Sequence, residues 1–178
     1  MGSPSRGPPD AAPPPTGVRY LVLASLCLAA TIAYVPRNCI GVAEADIRAD
    51  LHLSPEAMGW VMSAFFITYA AFQIPSGWLG HVWGTRRALA VFAGAWSVAG
   101  GLVGLAGGLP LLLLGRLGMG VAQAGIFPCS TASVARWFPA GRWALANGLL
   151  GSFMQIGAVV AVLLTGWLLA PQIGRAHV

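Results

Sequence analysis

The sequence predicts an all-α membrane protein of about five transmembrane helices, and three observations predict it. Of its 178 residues, 57% are hydrophobic and 8% charged, whereas roughly a quarter of the residues of a soluble domain are charged. The apolar residues fall into five runs, each near the ~20 residues that a helix needs to cross a bilayer. The runs are continuous and lack two-residue alternation, so helices rather than a barrel satisfy the backbone in lipid.

Residues 1–17, "MGSPSRGPPDAAPPPTG", are proline-rich and without apolar periodicity, which reads as a disordered cytoplasmic tail. A cleaved signal peptide is not expected, because the following apolar run is too long for one and ends in Pro, Arg and Asn. The spans are expected at about 20–43, 58–78, 88–107, 110–135 and 145–169. Trp60, Trp78, Trp83, Trp137 and Trp143 lie near their ends, where indole rings anchor at the interface. Between the first two spans, "EADIRADLHLSPEA" reads as an outer loop. His52 and His81 are both expected in loops.

Every basic residue other than histidine is an arginine. With the tail inside, Arg6, Arg19, Arg86, Arg87, Arg136 and Arg142 fall on the cytoplasmic side and Arg48 alone outside, which predicts a cytoplasmic N-terminus. The net charge of +5 therefore follows membrane topology. The arginines form no basic stripe, and no nucleic-acid partner is expected. Cys27, Cys39 and Cys129 lack metal-ligand spacing, so neither a metal nor another cofactor is expected. No acid pair, metal cluster or nucleophile with its base falls within a span, which argues against an enzyme.

Two arginines lie inside spans, Arg37 and Arg116. An arginine in the hydrocarbon costs roughly 2.5–3.5 kcal/mol even on lenient scales, and such residues face protein or a water-filled cavity. Each lies about 9 Å below the outer end of its span at 1.5 Å per residue, so the two can converge. No acidic residue follows Glu56. A small organic anion is the natural counter-charge, since the planar guanidinium fork suits carboxylates. The competing roles are bonds to backbone carbonyls, a side chain reaching outward, and an acid elsewhere in the protein. Tyr34 stands one turn from Arg37, and Tyr69 and Gln73 share a face of the second span, where they could orient a polyol acid or simply bridge helices. Gln123 lies two turns beyond Arg116 on the same face.

The stretch "SAFFITYAAFQIPSGWLGHVWGTRRAL", residues 63–89, resembles the major facilitator superfamily. The loop between that family's second and third spans reads G-x-L-A-D-R-x-G-x-R-R, and Gly77, Leu79, Gly84, Arg86 and Arg87 match it. His81 stands in place of the Asp and Val82 in place of the Arg. The resemblance makes Gly77, His81, Gly84, Arg86 and Arg87 the candidate gating loop, though short turns and topology also call for glycine and arginine.

"AYVPRNCIGVA" and "GRLGMGVAQAGIFPCSTASVARWFP" followed by "GRWALANG" are similar to Y-x-D-R-x-x-x-S-V-A and to G-R-x-x-x-G-x-x-E-x-x-x-F-P with W-F-P-x-x-E-R of the organic anion:cation symporter branch. The resemblance covers about 18–169. It implies five helices of the N-terminal six-helix half of a major facilitator fold, and alternating-access transport of a small organic anion such as a sugar acid. Arg37, Tyr34, Arg116, Tyr69, Gln73 and Gln123 are the candidate substrate-binding residues. The lipid bilayer is a further partner, H+ or Na+ the candidate coupling ion, and a bacterial inner membrane the implied location. The branch carries protons on an Asp and a Glu where this chain has Pro36 and Gln123, and neither can titrate. The alternatives are therefore a proton-uncoupled uniporter or exchanger and a transport-incompetent anion sensor.

Residues 173–178, "IGRAHV", are what one frame of a common sequencing adapter encodes. They are expected to be an artefact, with 18–172 a partial N-terminal transmembrane half.

Overall fold

The computed structural model describes residues 17–173. Most of the tail 1–17 and of the suspected adapter segment 173–178 lie outside the described residues. Seven helices follow in order: α1 Val18–Val42, α2 Glu44–Asp50, α3 Pro55–Trp83, α4 Thr85–Gly104, α5 Leu109–Ala124, α6 Ile126–Trp137 and α7 Trp143–Ile173. A short 3₁₀ turn, Ala140–Arg142, leads into α7. With α5 and α6 taken together, five helical stretches are long and apolar enough to cross a membrane.

Local chemistry sets the ends. Ser54 caps α3 by accepting a hydrogen bond from the Ala57 amide at 3.1 Å, and Pro55 supplies a first residue that has no N–H to satisfy. Pro110, the second residue of α5, likewise lies in the first turn, where its missing N–H costs nothing. Pro36 lies within α1 without ending it.

The structure corrects the sequence reading at three places. The outer loop contains a helix, α2, whose Glu44 and Arg48 pair at 3.2 Å one turn apart. Glu44 and Asp46 sit in its first turn and Arg48 in its last, which suits the helix dipole, while Asp50 at the C-terminal end opposes it. Ile47 and Leu51 pack onto a cluster built from Ile40, Met58, Val61 and Leu112.

His81 is not in a loop. α3 continues through it to Trp83, leaving Gly84 as the one residue between α3 and α4. Gly77 and His81 thus belong to the end of α3, and Arg86 and Arg87 to the first turn of α4. Gly84 has φ 81° and ψ 144°, a conformation that L side chains avoid and that lets the chain reverse in one step. His52, as expected, lies outside the helices.

The third correction is the span expected at 110–135, which breaks at Gly125 into α5 and α6. Pro128 has no N–H to give the Ala124 carbonyl, so one rung of the ladder is missing there. The ladder resumes with the Cys129 amide on the Gly125 carbonyl at 3.1 Å. The ring of Phe92, from α4, fills the space that a side chain at Gly125 would need.

α1 packs along α7, and α3 and α4 pack along α5. Apolar burial drives this weakly when the surroundings are lipid, so close backbone approach and interhelical hydrogen bonds carry more of it. At Gly157 the α7 backbone meets the Thr31 carbonyl of α1. Thr31 Oγ1 shares its one proton across the same contact between the Phe153 carbonyl at 3.0 Å and the Cys27 carbonyl of its own helix at 2.9 Å. At Gly120 the α5 backbone meets Phe65 and Thr68 of α3, and Thr68 Oγ1 donates to the Leu117 carbonyl at 3.0 Å. Large apolar side chains such as Leu21, Ile74, Trp78 and Trp167 point outward, the surface a lipid-facing bundle presents.

At the Arg142 end, a polar clasp closes the α6–α7 turn. Arg142 donates to Tyr20 Oη at 2.8 Å, and the Trp143 indole donates to the Phe138 carbonyl at 2.8 Å.

Candidate substrate-binding site

Arg37 projects from the middle of the bundle into an aromatic cage. Its guanidinium carbon lies 4.9 Å from the centroid of Tyr34 on its own helix, and 5.0, 5.4 and 4.7 Å from Phe65, Phe66 and Tyr69 of α3. Phe65 and Tyr69, one turn apart, stack at 5.7 Å with 16° between their planes. Rings attract the cation through their negative faces. They take none of its N–H groups, and Arg37 finds no hydrogen-bond acceptor among the described residues.

Arg116 is deeply buried, with 1% of its surface exposed. Its guanidinium carbon sits 4.6 Å from the centroid of Phe65, so one ring serves both arginines. Among the described residues its one hydrogen-bond contact is the weak acceptor Sδ of Met119 at 4.0 Å, and its Nε has none. An arginine so placed is costly, and buried charges are ordinarily paired.

Gln123 donates through Nε2 to the Ala33 carbonyl at 3.0 Å, pinning α5 to α1 one turn before Arg37. Removing this bond with Gln123→Ala should lower stability by about 1 kcal/mol, read as a lower melting temperature in detergent. A small cavity of about 10 Å³ is lined by Tyr34, Arg37, Tyr69, Gln123, Phe127 and Met154, among others. That is room for about one water and not for an organic acid.

Tyr34, Arg37, Tyr69 and Gln123 thus meet, with Arg116 behind Phe65. Gln73 does not join them; it is half-buried one turn further along α3 and outside the cavity lining. Gly77, His81, Gly84, Arg86 and Arg87 gather at the α3–α4 junction, with His81, Arg86 and Arg87 exposed. Ser152 bonds to the Gly148 carbonyl of its own helix.

Sequence reasoning missed Phe65 and Phe66. The available signal was the placing of Phe65 one turn before Tyr69, which puts two rings on one helix face beside a charged span.

Residues 26–174 match the Major Facilitator Superfamily. The chain belongs to that family. As a major facilitator chain it is a multi-pass integral membrane protein, and its five spans superpose on a crystal structure of a bacterial homologue of the human lysosomal transporter Spinster, inward-facing and unoccupied. That match has a TM-score of 0.78 at 26% identity and covers 85% of this chain and 32% of the other. In sequence the chain is 35% identical over 142 residues to a probable sulfoacetate transporter of Cupriavidus necator, covering 80% of this chain and 33% of the relative. It is 35% identical to a probable galactarate/D-glucarate transporter of Pseudomonas putida, over 79% of this chain and 32% of that one. With a hexuronate transporter of Escherichia coli K12 the identity is 29%, over 85% and 35%. The chain spans about a third of the length of these relatives.

Proposed function

We propose that this major facilitator protein moves a small organic anion across the bacterial inner membrane by alternating access, with its N-terminus cytoplasmic and Arg37 as the principal anion anchor. The observation that carries this reading is the caged Arg37, whose charge the rings hold in place while its N–H groups stay free for a carboxylate or sulfonate. The relatives' names, transporters of sulfoacetate, hexuronate and galactarate/glucarate, agree in substrate chemistry. Tyr34 and Tyr69 line the small cavity beside the anchor, and their hydroxyls are the candidate partners of a hydroxylated acid in a conformation where that cavity is open. Gln73 lies one turn further along α3 and does not line that cavity.

Coupling is proposed to be proton-free at these positions. Pro36 carries no ionisable group and Gln123 spends its amide on the Ala33 carbonyl. Uniport or exchange follows, unless a group elsewhere in the intact protein carries H+ or Na+.

The test is uptake of labelled glucuronate, glucarate and sulfoacetate into proteoliposomes of the intact protein, with and without a protonophore. Counterflow that persists undiminished with the protonophore is the expected result. Uptake that collapses when the proton gradient is dissipated contradicts the uncoupled reading. Anion binding without any flux identifies an anion sensor instead.

A further inference from the structure

We propose that Phe65 is a positioning residue of this site: the negative face of its ring, rather than its bulk, sets the affinity for the anion by holding the Arg37 guanidinium in one orientation. This rests on the anion-anchor reading above and adds to it a residue that acts through Arg37, since Phe65 lines no part of the small cavity beside it.

Four rings surround Arg37, and Phe65 differs from the other three. It has no exposed surface, whereas Phe66 is half exposed and Tyr34 and Tyr69 are partly so. A guanidinium gains more from a ring that is out of water than from one at a surface. Among the described residues, Phe65 is also the one ring of the four that lies against a second cation, Arg116 at 4.6 Å. Its attraction for both opposes the repulsion between two cations beside one ring.

The ring itself has little freedom. Tyr69 stacks on it at 5.7 Å, and Phe66 meets it edge-on at 5.3 Å. Ala99 of α4 and Met119 of α5 pack with it in one buried cluster, and Met119 also carries the Sδ contact of Arg116. The close approach of α5 sets its backbone, because the Phe65 carbonyl occupies the space that a side chain at Gly120 would need. A ring so confined presents its face in one direction. The cation beside it is then ordered before the anion arrives, which lowers the cost of binding, and its N–H fork is left to meet an acid group in plane.

Fluorination tests this, because it drains the negative face of the ring while nearly keeping its shape. Phenylalanine and its 4-fluoro, 3,5-difluoro and 3,4,5-trifluoro forms are placed at position 65 of the intact protein by suppression of an amber codon. Dissociation constants for glucuronate, glucarate and sulfoacetate are taken by titration calorimetry. They are expected to rise stepwise along the series, to about tenfold for the trifluoro ring. A ring that only fills space gives the same constants throughout; that result, or tighter binding along the series, overturns the proposal. Phe65→Leu should weaken binding at least as much, and the fluorinated proteins decide the matter where it does not fold. If Arg37→Gln loses binding while the series stays flat, the Phe65 role alone is wrong. If the wild-type protein binds none of the three acids, or Arg37→Gln binds them as tightly, the anchor reading falls and the Phe65 role with it.

Discussion

Replacing Arg37 with Gln is expected to raise the KM for anion uptake by about 100-fold or more, while leaving the helical bundle able to insert and fold. The size follows from losing charge-assisted hydrogen bonds to an anion in a poorly solvated site, where truncating one partner costs roughly 2–5 kcal/mol. The bundle should tolerate the change because Arg37 bonds to no protein acceptor and holds its place by ring contacts alone. Arg37→Lys should be intermediate. It keeps the charge, but an ammonium does not present a planar fork to a carboxylate. Uptake kinetics in proteoliposomes, with size-exclusion profiles to verify folding, give the measurement. Folded Arg37→Gln protein with normal affinity would falsify the anchor role.

Gly120→Val is expected to abolish the folded protein. A side chain there has to enter space held by the Phe65 carbonyl and Thr68 Oγ1, with the Tyr69 amide nitrogen 3.1 Å away. Two of these obstacles are backbone, so α3 and α5 have to separate, and overpacking of this kind costs about 1–3 kcal/mol or more. The separation also removes the Thr68 bond to Leu117. Gly118, two residues earlier, is the control: a Cβ there meets only the Ala99 methyl at an ordinary 3.6 Å. Gly118→Ala should therefore express and melt normally, while Gly120→Val aggregates or is degraded. Because Phe65 and Tyr69 both flank Gly120 and cage Arg37, any Gly120→Val protein that survives should also bind anions poorly.

The five spans were legible in the sequence because lipid imposes one requirement on all of them, a long apolar run. The convergence of Arg37 and Arg116 was legible for a related reason. Each lies six residues from the outer end of its span, and the structure brings both to Phe65. The break at Gly125 was legible in part: Pro128 marks a bend in the apolar run, whereas the ring of Phe92 that fills the space beside Gly125 comes from another span. Phe65 and Phe66 were passed over because an aromatic ring in such a run looks the same whether it meets lipid or a cation. Gln73 shares a face with Tyr69 but lies one turn further along α3 and does not line the small cavity beside Arg37. α2 was masked by its polar surface, although its Glu44–Arg48 spacing was present to be read.

The one-residue link at Gly84 bears on how the protein is made. A nascent chain with a long loop can lodge one span in the bilayer while the next is still being synthesised. Here no such slack exists, since α3 ends at Trp83 and α4 begins at Thr85. Two spans joined so tightly are expected to enter the membrane together as a hairpin, with Arg86 and Arg87 at its tip. Misinsertion of either helix commits the other, so the biogenesis of the pair is all-or-none.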